Sequence, residues 1–392
     1  MDGPTSPAVD RPAAWRPAGW QIIMAVGVAL WVLMEILERG ARAQDNHLST
    51  ITAIYAGLQL VAGLLILQGA CEALVQSVER LGGRLHWDAF VAGTVAEMLA
   101  TLPEFVLVIF LVQVDPATAF TVAFITVYNN ALIMSVYAFF LPRDREGLFA
   151  MPRAITRAGT EVLIAGAGIV LIVGIMKLAG ATHVERDFLH ARDLIVIALV
   201  LFGVFVLYLY TLIRHHAAAP EHGADEVAAP HGGWGPIAAL FVVGVIGSVI
   251  GGDAVSAFAD DAIHNFGMPS IPTAIFLAFF AGISELLIIY KAHRRQQLAI
   301  ALSNAFGGVA EVMFLVVPFT LMTIGIFAVV TGNPIYAVPV NFTTTTLVLL
   351  IFPVFFVLLQ YLRNEHTFSV LQAGAMTGLY TLLLYALMAW ED

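Results

Sequence analysis

Of the 392 residues, 60% are hydrophobic and 12% are charged, against roughly 45–50% apolar and 25% charged in soluble domains. That balance excludes a soluble globular enzyme. The formal charge of −10 does not call for a basic partner, because the acidic residues lie in or beside apolar segments, and 18 Lys+Arg scattered over short loops supply no basic face for nucleic acid.

Residues 1–18 carry Pro, Asp and Arg but no apolar signal region, so the apolar run that follows is expected to stay as an anchor. Crossing about 30 Å of hydrocarbon takes roughly 20 apolar residues as helix. The expected fold is therefore all-α integral membrane, with about eleven spans near 19–38, 49–78, 86–112, 116–141, 158–180, 192–214, 234–262, 269–292, 297–326, 335–362 and 367–390. The lone Cys71 allows no intramolecular disulfide and no thiolate metal cluster.

Basic residues divide unevenly between alternate loops. Thirteen, among them Arg80, Arg84, Arg143, Arg145, Lys291, Arg294 and Arg363, share the side of the N-terminus, and five, Arg39, Arg42, Lys177, Arg186 and Arg192, lie opposite. The positive-inside rule then puts the N-terminus in the cytoplasm and the C-terminus outside, in a multi-pass protein expected in a bacterial inner membrane. The Ala-, Pro-, Gly- and His-rich stretch 215–233, with His215, His216, His222 and His231, reads as a cytoplasmic linker.

Five spans per repeat is an odd number, so two related halves insert with opposite orientation. The expected organisation is an N-terminal tail and extra helix over 1–48, a first repeat over 49–214, the linker 215–233 and an inverted second repeat over 234–392. In the first half Gly69-Ala70-Cys71-Glu72 leads through Leu81-Gly82-Gly83 to Thr101-Leu102-Pro103-Glu104. In the second, Gly251-Gly252-Asp253 leads through Phe266-Gly267 to Gly282-Ile283-Ser284-Glu285. Asn130 follows Glu104, and Glu311 follows Glu285, by the same 26 residues.

A charged side chain at the bilayer centre costs about 2.5–3.5 kcal/mol on insertion scales, so intramembrane carboxylates are functional candidates. Glu104 lies 11 residues before the Asp115-Pro116 turn, about 16 Å along a helix and so near the midplane; Glu285 and Glu311 flank the Lys291–Gln297 turn at comparable depth. Residues equidistant from a hairpin turn face each other, which predicts Asn130 opposite Glu104 and Glu311 opposite Glu285, and one central site of three carboxylates and an amide. Glu104, Glu285 and Glu311 are hard oxygen ligands of the kind that suit Ca²⁺ rather than Zn²⁺ or Cu⁺. Pro103, Gly282, Gly307 and Gly308 are expected to permit local unwinding or close approach. Glu97, Thr101, Asn129, Ser284 and Asn304 are candidate lining or relay residues. Glu72, Asp253, Glu161 and Glu35 lie nearer span ends, where snorkelling is cheap.

The run Gly69 to Glu104, with its Leu-Val after an acidic position, Leu-Gly corner and closing Pro-Glu, resembles the first α-repeat of the calcium/cation antiporter superfamily. Ser284-Glu285-Leu286 through Leu298 to Asn304 and Glu311 resembles its second, with Ser303 where the family has Gly. From Tyr290-Lys291-Ala292 through Val317-Pro318 to Thr331-Gly332-Asn333 the sequence is similar to bacterial Ca²⁺/H⁺ antiporters. The resemblance implies that the family's two central Glu fall on Glu104 and Glu285, and that its later site pair falls on Asn130 and Glu311, one position short in both repeats. Na⁺/Ca²⁺ exchangers carry Thr-Ser three to four residues before each central Glu; here Ala100-Thr101 and Ala281-Gly282 stand there, which favours H⁺ as counter-ion. The expectation is a secondary antiporter moving Ca²⁺ or another divalent cation, with H⁺ or Na⁺ in exchange, no cofactor and no enzymatic chemistry. Its partners would be the lipid bilayer and small inorganic cations. There is no P-loop and no His-Glu-x-x-His for an intramembrane metalloenzyme; a passive cation channel is the competing class.

Overall fold

The structure, a computed structural model, describes residues 18–42, 49–85, 95–96, 98–150, 153–181, 188–218, 233–294, 298–363 and 367–389. Fourteen helices are described: α1 (Gly19–Arg42), α2 (Ser49–Leu85), α3 (Leu102–Val114), α4 (Pro116–Tyr137), α5 (Arg153–Ala181), α6 (Ala191–Ala218), α7 (Trp234–Asp260), α8 (Ser270–Ala281), α9 (Ile283–Arg294), α10 (Leu298–Glu311), α11 (Val317–Thr331), α12 (Phe342–Leu349), α13 (Ile351–Arg363) and α14 (Val370–Ala389). Among the described residues nine helices are long and apolar enough to cross a membrane. Shorter apolar helices over Met98–Val114 and Ile271–Phe280 fall on the third and eighth expected spans. The chain is thus a multi-pass helical membrane protein.

The helices α2 and α7, which open the two halves, pack along one another through a seam of small residues. A Cβ on Gly63 would stand 2.9 Å from the Gly251 carbonyl oxygen, and one on Gly251 the same distance from that of Gly63. Only glycine lets two backbones approach so closely, and close packing is what holds helices together where lipid removes the hydrophobic drive. On the outer flank, α1 lies against α2.

Contacts between the halves are reciprocal. Helix α4 packs on α8, and α11 on α3; α6 packs on α11, and α14 on α4; α4 meets α10, and α5 meets α13. Four short strands repeat the pattern: β1 (Leu148–Ala150) pairs antiparallel with β4 (Thr367–Ser369), and β2 (Phe188–Leu189) with β3 (Val338–Pro339). Exchanging the halves turns the first pair of loops into the second. A single span, α5, separates β1 from β2, so the two ribbons sit at opposite ends of the bundle. Halves inserted in opposite orientations would produce this arrangement.

Local sequence explains where the helices break. Pro318 has no N–H for an α-helical bond to Phe314, and the turn before it, Val312–Val316, relaxes to a π-helix. Gly307 and Gly308, expected to permit local unwinding or close approach, leave α10 unbroken from Leu298 to Glu311, and Gly308 provides the close approach.

Candidate ion-binding site

The third and eighth spans break at matching points. Thr101 has φ −82°, ψ −8° and Gly282 has φ −74°, ψ −2°, both in the sparsely occupied bridge region. Three residues later, in each case in the first turn of the new helix, comes the carboxylate: Glu104 in α3 and Glu285 in α9. That is where the helix dipole and unpaired N–H groups favour an anion. Pro103 fits because a second helical position has no hydrogen bond to lose. The Thr101 hydroxyl donates to the Met98 carbonyl oxygen at 2.7 Å, covering a group that the break exposes.

Around these turns the sequence-predicted residues assemble. Asn130, on α4, lies against Glu285 of the other half, and Glu104 and Glu285 are close enough to repel one another. Gly308 marks the meeting point: a Cβ there would lie 3.0 Å from Asn130 Oδ1 and 3.4 Å from Glu285 Oε2. Asn130 thus reaches the carboxylate of the other half, where α4 packs on α8 and α10.

Glu104 Oε2, Glu285 Oε2 and the Nδ2 atoms of Asn129 and Asn130 are sealed from solvent and have no hydrogen-bond partner among the described residues. Glu311 is also buried, at 6% exposure, but it stands a turn beyond Gly308, about 4.5 Å further along the axis. Among the described residues no three His, Cys, Asp or Glu side chains converge on one ion-sized space. Asn130 and the bare backbone of Gly308 occupy the ground nearest Glu285.

Of the lining candidates, Asn129 and Thr101 are buried and Asn304 is half-buried. Ser284 occupies the first turn of α9, with its side chain outside the described residues, as is Glu97 altogether. Most of the His-containing linker also lies outside them, although α6 runs on to Ala218. Sequence reasoning missed two residues beside the site. Gln68 and Cys71 of α2 line, with Ala100, Pro103, Phe280 and Ile283, a cavity of about 50 Å³ against Glu104. A polar Gln68 four residues before Glu72 in an apolar run was the available signal. Lys177, counted among external loop charges, is fully buried. Its ammonium donates to Pro339 O at 3.2 Å and to Thr344 Oγ1 at 3.0 Å, and lies 5.0 Å from the centre of the Phe120 ring.

Residues 236–389 match the family described as sodium/calcium exchanger protein. The architecture is also that of solved exchangers. An H⁺/Ca²⁺ exchanger, CAX, superposes with a TM-score of 0.63 at 12% identity, covering 94% of this chain and 92% of that one. This is the fold of the solved calcium exchangers. The Ca²⁺/H⁺ antiporter YfkE gives a TM-score of 0.61 at 12% identity over 94% of this chain and 99% of its own. The sodium-calcium exchanger NCX_Mj gives 0.52 at 15% identity over 85% and 99%. No curated protein matches the sequence. Both counter-ions occur among these structural neighbours.

Proposed function

We propose that the chain is a secondary antiporter that exchanges a divalent cation, Ca²⁺ by its ligand chemistry, for H⁺ at one central site by alternating access. The observation that carries this reading is the pair of buried, unpartnered carboxylate oxygens of Glu104 and Glu285 at the starts of two matching broken helices. Buried polar atoms without partners are rare in folded proteins, and an intramembrane carboxylate is costly unless it has work to do. A cation bound between them would satisfy both. Ca²⁺ takes 6–8 oxygens in flexible geometry, and the donors at hand are the two carboxylates, Asn130 Oδ1, Glu311 and backbone carbonyls at the breaks.

The reciprocal contacts further support two inverted repeats, in which Glu311 serves the Glu104 side as Asn130 serves Glu285. When the cation leaves, the same oxygens take up protons, so the empty site crosses the low-dielectric interior without uncompensated charge. Cation binding then releases protons. The counter-ion assignment rests on the breaks: Ala100, Ala281 and Gly282 have no hydroxyl, and the one hydroxyl present, on Thr101, is engaged with Met98. The second reading, Na⁺/Ca²⁺ exchange, is favoured by the family matched over 236–389 and by the NCX_Mj fold.

The site assignment is tested in proteoliposomes with Glu104→Gln and Glu285→Gln. Gln keeps the shape of the side chain and removes the charge that offsets cation dehydration, so divalent-cation exchange should be lost while folding survives. Substantial Ca²⁺ flux in both variants would sink the assignment, and flux that fails to saturate or to exchange would identify a channel instead.

A further inference from the structure

Helices α5 and α6 follow one another in the chain, yet each is committed elsewhere: α5 packs mainly on α12 and α13, and α6 on α11. Between them remains a cavity of about 490 Å³, within the size range of small-molecule sites. Its walls are two matching stripes. On α5 they are Ile169, Ile172, Val173 and Met176, and on α6 Asp193, Val196, Ile197 and Val200, each set at i, i+3, i+4 and i+7. Such a stripe is the face a helix uses for burial. Here Ile172, Met176, Val196 and Val200 are 51–61% exposed, so the groove opens sideways to where lipid tails lie.

The mouth differs in kind. Arg192 and Asp193 line it, one residue inside the start of the apolar span Ala191–Thr211, at the depth where hydrocarbon gives way to headgroups. Asp193 is anchored there, accepting the His190 backbone N–H at 3.4 Å. A guanidinium matches a phosphate in geometry and charge, and a neighbouring carboxylate matches an ammonium. We propose that this groove is a binding site for one phospholipid with a zwitterionic amino headgroup, its acyl chain between α5 and α6, its phosphate on Arg192 and its amine on Asp193. The lipid would fill the wedge left by two helices that lean on different partners. The inference is independent of the transported ion and of the counter-ion.

The test uses the full chain, purified and delipidated in detergent, with phosphatidylethanolamine, phosphatidylglycerol and phosphatidylcholine as probes. Native mass spectrometry reads retained lipid, and the thermal midpoint reads stabilisation, since a ligand of the folded state raises it by mass action. Phosphatidylethanolamine should be retained and should raise the midpoint most. Arg192→Gln and Asp193→Asn should each weaken it about tenfold or more, as expected for losing one charge-assisted contact. Val196→Trp, which fills the groove, should abolish retention, with Ile172→Phe as a milder variant should the first fail to fold. Equal retention of all three lipids, or unchanged retention in the filled variants, would overturn the proposal. So would a dimer that the filled variants dissociate, which would mean that a second copy occupies the groove.

Discussion

Gly308→Ala separates the candidate ion site from the stability of the helix that carries it. The added methyl would sit 3.0 Å from Asn130 Oδ1 and 3.4 Å from Glu285 Oε2, inside normal carbon–oxygen contact for the first. The neighbours must therefore yield by a few tenths of an ångström, in the space where a cation would draw the same oxygens inward. In the interior of α10, by contrast, Ala is favoured over Gly by about 0.8–1 kcal/mol. Fold stability should hold or rise slightly, while divalent-cation affinity falls about 10–100-fold, the range for disturbing groups that orient metal ligands. Isothermal titration of purified protein with Ca²⁺, beside a thermal melt, reads both quantities on one sample. A variant with unchanged affinity would refute the placement of the ion beside Gly308, and one that loses affinity only in proportion to lost stability would refute the separation.

Three other perturbations follow from particular contacts. Lys177→Met removes the ammonium from Pro339 O and Thr344 Oγ1, which keep, among the described residues, only the bond from the Thr344 hydroxyl to Pro339 O; a loss of about 1–3 kcal/mol, measured as a lower thermal midpoint, is expected, and an unchanged midpoint would show that this buried cation holds nothing. Gly251→Val puts further atoms where a Cβ already stands 2.9 Å from the Gly63 carbonyl, so the α2–α7 seam must open. Expression or melting temperature should fall sharply, whereas near wild-type stability would mean that the two halves do not depend on that contact. Replacing His215–His231 by a short flexible segment should preserve transport, because the Ala-, Pro-, Gly- and His-rich composition of the stretch reads as a linker outside the membrane; loss of flux in a well-folded deletion would make the cluster part of the mechanism.

How much of this was legible in the sequence depends on the scale of the feature. Spans could be placed because lipid forces each crossing to be a long apolar helix, and nine described helices long enough to cross fall on the expected positions. The equal spacing of Glu104 to Asn130 and Glu285 to Glu311 singled out side chains that the structure buries, and Pro103 and Gly282 pointed to the neighbourhood of the two breaks. Equidistance from a turn considers one hairpin alone, and so did not show that Asn130 also meets the carboxylate of the opposite half. Lys177 was counted with the loops because it sits near the end of its span, and no local pattern shows that the strand at Val338–Pro339 folds back over it. Long-range packing decided both.

The central claim is that the carboxylate pair couples a divalent cation to protons. Its most direct test is Ca²⁺ uptake into proteoliposomes free of Na⁺ throughout, driven by an imposed outward proton gradient. The account predicts saturable uptake that collapses on adding a protonophore and is absent in Glu285→Gln. Uptake that ignores the proton gradient and appears only when an outward Na⁺ gradient is imposed would contradict it and make the protein a Na⁺/Ca²⁺ exchanger whose site lacks three of the expected hydroxyls.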